Sequence, residues 1–186
     1  MRERLHGGRG GWQTDRMIDD SACGVAHGGA ADDPEVRVLV AVFASPVSGY
    51  LLRYARDAGF RPVLVEPDAG RAAEAAALDV PVVASMPELD GSADVVVTDH
   101  HRPELGPALR DALAGGPRWI GVMGNPRHRG PHVEALRELG VGEAEILTVH
   151  RPIGLNIGSR RPAEIAVATL AGLLADRNGK PGGFEF

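Results

Sequence analysis

The stretch VRVLVAVFASPVSG, residues 36–49, decides the fold. Its first part, residues 36–43, is an apolar run interrupted only by Arg37. Such a run is typical of a strand that is buried on both faces of a parallel sheet. A short turn and a helical pattern over 48–59 follow it. The stretch therefore predicts the first strand, turn and helix of an α/β unit.

The same alternation continues through most of the chain, with short polar links between the elements. Further strands are predicted at 62–66, 80–84, 94–98 and 119–123, and further helices at 69–78, 103–114, 129–139 and 162–176. Pro103 is expected at the start of its helix, where a missing N–H costs nothing. We therefore predict a three-layer, Rossmann-like α/β fold with a doubly wound, mostly parallel sheet.

Composition divides the chain into a domain and two flanking segments. Residues 35–178 are predicted to form the Rossmann-like domain, and residues 179–186 a tail. Residues 1–34 are rich in glycine and carry no sustained apolar period, so we expect a flexible or disordered N-terminal arm.

Bulk charge and composition exclude several classes of function. The formal net charge of -5 argues against a nucleic-acid partner, which needs a basic field. Cys23 is the only cysteine, which rules out a disulfide within the chain and a cysteine-rich zinc site. No apolar run approaches the ~20 residues that span a bilayer. We expect a cytoplasmic protein with no membrane partner and no metal site.

The first turn is an altered dinucleotide-binding fingerprint. The pattern GxGxxG supplies three glycines, but here Ala44 and Pro46 take the first two places and only Gly49 remains. Ser45 and Ser48 are predicted to donate to a phosphate at the helix N-terminus. Glu66, at the end of the second strand, stands where an acidic residue would hold a ribose hydroxyl. These residues predict a Rossmann scaffold with weakened NAD(P) binding.

The next strand ends in Thr98-Asp99-His100-His101, again at a carboxyl end of the sheet. Thr98 and His100 are candidate ligand contacts. Because neighbours in an extended strand point to opposite sides, only one of the two histidines is expected to face the crevice. With no third ligand close in sequence, a metal is not predicted.

Two late loops carry basic residues. The turn 121–129 contains Gly124, Asn125 and Arg127, at a place where an anion could dock. Ser159 and the pair at 160–161 stand just before the last helix.

Arg160 and Arg161 are misplaced for a purely structural loop, because the positive end of a helix dipole repels them. We therefore predict an anionic ligand bound at the start of that helix, with Arg160 and Ser159 in contact with it.

Three stretches together resemble the C-terminal Rossmann domain of the XdhC/CoxI family, which comprises accessory factors of molybdenum hydroxylases such as xanthine dehydrogenase. The stretches are VVVTDHHRPELGPAL at 95–109, RWIGVMGNPRHR at 118–129 and HRPIGLNIGSRRPAEIAVATLAGLLADR at 150–177. The resemblance spans about residues 36–177, and its most specific part is IGLNIGSRRPAEIA.

The resemblance implies a role in maturation of the molybdenum cofactor (molybdopterin) and its delivery to an apo-enzyme partner. It further implies a signature loop at Gly154, Asn156, Gly158 and Arg160, and places Gly124, Asn125 and Arg127 in the basic turn. A non-catalytic accessory protein is favoured over an enzyme. An NAD(P)-binding oxidoreductase and a non-catalytic nucleotide-binding or structural module remain alternatives. Self-association as a homodimer through the outer helices is a further expectation.

Overall fold

The computed structural model describes residues 37–125, 127–128 and 130–183. The predicted arm at 1–34, with Cys23, lies outside the described residues, as does the end of the predicted tail. The predicted domain and arm boundaries stay predictions.

A single sheet holds five parallel strands in the order β3-β2-β1-β4-β5. The strands are β1 (Arg37–Val42), β2 (Phe60–Val65), β3 (Val82–Val83), β4 (Asp94–Val97) and β5 (Trp119–Val122). His150 forms one parallel bridge with Gly121 of β5, on the side of β5 that faces away from β4. The strand order reverses between β1 and β4, which is the topological switch point of a doubly wound fold.

Helices cover both faces of this sheet. They are α1 (Pro46–Asp57), α2 (Ala69–Ala75), α3 (Leu105–Ala114), α4 (Pro131–Glu138), α5 (Glu143–Ile146) and α6 (Pro162–Arg177). A 3₁₀ turn at Ala76–Leu78 extends α2.

Alternate residues of β1 divide the core into two layers. Leu39 packs with Leu51 of α1 and Leu173 of α6, whereas Val40 packs with Leu109 of α3 and Leu136 of α4. All six side chains are buried to 1 % exposure or less. The central strand is therefore apolar on both faces, as its sequence predicted, and the predicted three-layer fold is confirmed.

Several element boundaries differ from the predictions. Helix α3 begins at Leu105, because Pro103 lies in a preceding turn that the Leu105 N–H closes onto the Arg102 carbonyl at 3.1 Å. Strand β3 contains only Val82–Val83. The short helix α5 was not predicted, since four residues are too few to show a helical period.

In the part of the chain that is described, no helix has the length and apolar character that crossing a membrane requires.

Candidate functional site

The turn between β1 and α1 satisfies its own backbone amides. Ser45 is the N-cap of α1: its hydroxyl accepts from the Ser48 N–H at 3.0 Å, and the Ser48 hydroxyl accepts from the Ser45 N–H at 2.9 Å. Pro46, the first helical residue, has no N–H to offer. Gly49 packs closely on Leu78 of the neighbouring 3₁₀ turn. The donors predicted for a phosphate are therefore used within the turn.

Glu66 closes the same turn from the end of β2. Its fully buried carboxylate accepts from the Ala44 N–H at 2.7 Å, the Asp68 N–H at 2.9 Å, and both terminal nitrogens of Arg102 at 3.0 and 3.1 Å. Burial raises the pKa of Glu66, but these hydrogen bonds outweigh burial and hold it below its ordinary value. The predicted contact with a ribose hydroxyl does not fit this geometry, because all four bonds occupy the carboxylate.

Thr98 joins the carboxyl ends of β1 and β4. Its hydroxyl lies 2.8 Å from the Phe43 carbonyl and accepts from the Ser45 hydroxyl at 3.1 Å. The residue is 9 % exposed. Thr98 thus fixes the first turn against the neighbouring strand, which is a structural role in place of the predicted ligand contact.

A cleft of about 790 Å³ opens beyond the carboxyl ends of β4 and β5. It is lined by His100, His101, Arg102, Pro103, Leu105, Gly106, Asn125, His128, Pro131 and Ala135. The cleft brings together residues from two of the predicted motifs, the histidine turn and the basic turn. The other predicted site residues are not among its lining.

Both histidines of the turn line this cleft, so the prediction that only one would face the crevice is wrong. They leave the strand at Val97 and lie in a turn, where alternation no longer applies. Their rings are 4.1 Å apart between centroids. Burial, followed by the positive charges of His101 and Arg151, lowers the pKa of His100.

Arg151 holds the loop that carries Asn125 and His128. Its Nη1 donates to the His128 carbonyl at 2.8 Å and its Nη2 to the Asn125 carbonyl at 3.2 Å. The guanidinium lies on the Cα of Gly124, where an added Cβ would come within 2.7 Å of Nε. Gly124 is therefore needed for close approach of this side chain. Arg151 was not predicted as a site residue, although it lies in the stretch 150–177, because its contacts with Asn125 and His128 span 26 and 23 residues.

His132, in the first turn of α4, lies beside Arg151. It is 6 % exposed and its Nδ1 has no hydrogen-bond partner. Burial lowers its pKa, and the positive charges of Arg151 and His100 lower it further. His132 is thus a buried ring, with a lowered pKa, next to a half-buried cation. It was also missed, because a single histidine on a helix face carries no sequence signal.

The signature loop packs on α6 and does not reach the cleft. Gly154, at φ +84, lies against the backbone of α6, and the Leu155 N–H donates to the Ala168 carbonyl at 2.9 Å. Asn156 is exposed, and Gly158 has open space around it. The loop's two signature glycines therefore shape a surface turn.

The start of α6 carries its own anion. The carboxylate of Glu164 accepts from the backbone N–H of Arg160 at 3.2 Å and of Arg161 at 3.3 Å. The Ser159 hydroxyl donates to the Glu164 carbonyl at 3.4 Å. Both arginine side chains are exposed. The predicted anion pocket at this helix is not supported, because a side chain of the protein occupies its amides.

Arg127 is exposed, and its backbone N–H donates to Oδ1 of Asn125 at 2.9 Å. This bond tightens the loop beside the cleft. Within the described ranges, no three His, Cys, Asp or Glu side chains are arranged to hold a metal ion.

Comparison with solved structures gives a similar fold. A crystal structure described as a xanthine dehydrogenase from Bacillus halodurans matches with a TM-score of 0.60 and 19% identity, over 77% of this chain and 45% of that chain. Among curated proteins, the uncharacterized protein YqeB of Escherichia coli (strain K12) is 42% identical over 65 residues. That match covers 35% of this chain and 12% of YqeB. This chain thus spans less than half the length of either relative.

A family model described as the XdhC Rossmann domain matches residues 39–173, most of the chain. The matched range runs from β1 into α6 and includes the cleft, the histidine turn and the signature loop. The resemblance found in the sequence is thereby confirmed, and the chain belongs to the XdhC family through its Rossmann domain.

Proposed function

We propose that this protein is an accessory factor for a molybdenum hydroxylase of the xanthine dehydrogenase type. It binds an anionic pterin or nucleotide, foremost the molybdenum cofactor as cargo, and delivers it to the apo-enzyme. Membership of the XdhC family supports the accessory role. The proposal assigns the chain a binding and delivery role, with no reaction of its own, in the cytoplasm.

The cleft at β4 and β5 is the observation that carries the proposal. Its volume of about 790 Å³ lies within the range of roughly 300–1,000 Å³ typical of small-molecule sites. His100, His101, His128 and Asn125 provide hydrogen-bonding groups, and Leu105 with other apolar residues provides apolar contact. Such a lining suits a planar heterocycle with an anionic substituent.

The first turn argues against the oxidoreductase alternative. A dinucleotide needs free amides for its pyrophosphate and a free carboxylate for its ribose. Ser45 and Ser48 cap each other, and Glu66 is saturated by Arg102 and two amides. NAD(P) would have to displace these bonds, so a ligand at the β4–β5 cleft is favoured.

Thermal-shift and calorimetric titration of the purified protein test this function. The probes are the molybdenum cofactor released from a carrier protein, GTP, CTP, NAD and NADP. We expect stabilisation by the cofactor or a nucleotide, reaching about 2.7 kcal/mol at a hundredfold excess over Kd. Replacing His101 and His128 together by alanine should weaken binding at least about tenfold, because both exposed rings line the cleft.

Arg110→Ala is the matched control, since this exposed side chain of α3 pairs with its neighbour Asp111 and is not in the cleft lining. A second readout is recovery of activity by a cofactor-free molybdenum hydroxylase when the loaded protein is added. Binding of NAD(P) alone, unaffected by the double variant, would favour the oxidoreductase. No binding of any probe would favour the structural module and reject the proposal.

A further inference from the structure

We propose that Arg151 makes this cleft selective for phosphate-bearing ligands, by positioning the rim formed by Asn125 and His128 and by supplying a half-buried positive charge that faces no carboxylate of the described residues. The inference rests on the proposed function and assigns the ligand's phosphate to that rim. Arg151 is a positioning residue here, because it is not among the residues that line the cleft.

The Arg151 side chain bridges two backbone carbonyls of the loop after β5. Arg151 binds the carbonyls of Asn125 and His128, one through each terminal nitrogen, at 3.2 and 2.8 Å. These two residues line the cleft. A single guanidinium therefore fixes the spacing of two ligand-facing residues.

Three other half-buried arginines of the described residues pair with carboxylates. Arg102 pairs with Glu66, Arg177 pairs with Asp94, and Arg118 pairs with both Asp94 and Asp176. Arg151 instead binds two neutral carbonyls, and its buried Nε has no partner. Unlike these three arginines, Arg151 has no carboxylate partner among the described residues, so its charge is balanced by neutral carbonyls alone.

Two histidine rings lie near the charge of Arg151. His100 and His132 both lie close enough for Arg151 to lower their pKa values. The cation therefore adjoins two rings that resist protonation. A half-buried cation that faces no carboxylate requires an anion beside it for its charge to be compensated. A phosphate at the cleft rim meets this requirement, which a neutral heterocycle does not.

The experiment compares one ligand pair that differs by a phosphate alone. GMP and guanosine are suitable probes, because guanine shares a fused pyrimidine ring with pterins. We expect the wild-type protein to bind GMP at least about tenfold more tightly than guanosine, with an affinity that falls as salt rises. In Arg151→Gln the GMP preference should fall to less than about threefold, and the salt dependence should flatten.

Two further variants separate positioning and charge from a loss of folding. Gly124→Ala keeps Arg151 but places a Cβ against its guanidinium, and should reduce the GMP preference in the same way. Arg161→Gln removes an exposed arginine at the start of α6 and should retain the full preference. Circular dichroism spectra and thermal midpoints confirm that each variant is folded.

The outcomes distinguish the two proposals. If the wild type binds neither GMP nor guanosine nor the molybdenum cofactor, the proposed function fails and this inference fails with it. If the wild type prefers GMP and both Arg151→Gln and Gly124→Ala keep that preference, only the role of Arg151 is rejected. A preference lost in Arg161→Gln alone would assign the phosphate to the start of α6 and overturn the inference.

Discussion

Buried polar side chains at the carboxyl edge of the sheet serve two different purposes. Glu66 receives four hydrogen bonds and closes the first turn. Arg151 and His132 each keep a buried nitrogen without a partner. Since a satisfied group gains little from a ligand and an unsatisfied one gains more, we expect the second pair to contribute to ligand recognition.

The buried His132 should make stability depend on pH. Its folded-state pKa lies below the ordinary 6.5, so between these two values the unfolded chain binds a proton that the folded protein does not. The free energy of unfolding is then highest above about pH 6.5 and falls as the pH drops toward the lowered pKa. His100, whose pKa is also lowered, adds to the same slope.

His132→Gln should therefore show a shallower loss of stability between pH 6.5 and about 5 than the wild type. Urea unfolding at a series of pH values measures the slope, which is independent of any constant loss caused by the substitution. His150→Gln controls for removal of a histidine as such. Parallel curves for wild type and His132→Gln would contradict the prediction.

Individual residues were predicted where a motif has a fixed spacing, and missed elsewhere. His100 and Asn125 were candidates because they follow strands, and the structure brings both to the cleft. Glu66 occupies the fingerprint position but binds Arg102, a contact over 36 residues that no local pattern reveals. Arg151 and His132 owe their importance to burial, which depends on tertiary packing.

At the level of elements, the segment before α6 depends on a close backbone approach. Gly154 has φ +84, and an added Cβ would lie 3.0 Å from the backbone atoms of Ala168 and Thr169. Gly158 has a similar φ of +69, but nothing lies within 4 Å of its added Cβ. Replacing Gly158 therefore tests backbone strain alone, whereas replacing Gly154 tests backbone strain together with steric overlap.

Gly158→Ala should cost about 1 kcal/mol of unfolding free energy, from the left-handed backbone alone. Gly154→Ala should cost a further 1–3 kcal/mol or so, because α6 cannot move away from the loop without losing its contacts with α1. Equilibrium urea unfolding of both variants gives the difference. Equal losses would show that the contact with α6 is not tight.

Helix and strand types followed from periodicity, whereas their ends followed from side-chain contacts. Helix α1 starts at Pro46, two residues before its apolar pattern, because Ser45 and Ser48 cap each other. Strand β3 is shorter than its apolar run, since pairing with β2 extends only over Val82 and Val83. Apolar spacing contains no information about either contact, so the ends were displaced by a few residues.

Across the whole molecule, the end of the last helix is tied to the middle of the sheet at its amino edge. Asp94, which is fully buried at the start of β4, accepts from Nε of Arg118 at 2.6 Å and Nε of Arg177 at 2.7 Å. Arg177 also donates to the Ser92 carbonyl. These bonds fix α6 over the sheet from the edge opposite the cleft.

Asp94→Asn should therefore lose about 3–5 kcal/mol of unfolding free energy, because two arginines lose their buried carboxylate. Asp176→Asn is a matched control, because Asp176 is the second partner of Arg118. The Asp176 side chain is 42% exposed, so its replacement should cost less than about 1 kcal/mol. Denaturant unfolding measures both. A loss below 1 kcal/mol for Asp94→Asn would show that the amino edge is held by packing alone.

The overall architecture was predictable because it depends on a repeated pattern. Each strand that is buried on both faces is an apolar run, and each is followed by a polar link and another element. The parallel sheet and the helices on both of its faces follow from this alternation, whereas the strand order does not. The position of the cleft was not predictable, since it depends on which turns already use their backbone amides in hydrogen bonds to side chains of the protein.

The attachment of His150 to the sheet has a consequence for the cleft. Two backbone hydrogen bonds join this residue to β5, to the Ile120 carbonyl at 2.9 Å and from the Val122 N–H at 3.0 Å, and its ring stacks on Trp119. Arg151 is the next residue. Fraying of this edge would withdraw the guanidinium and release the rim, so we expect the rate of ligand release to follow local unfolding at this border of the sheet.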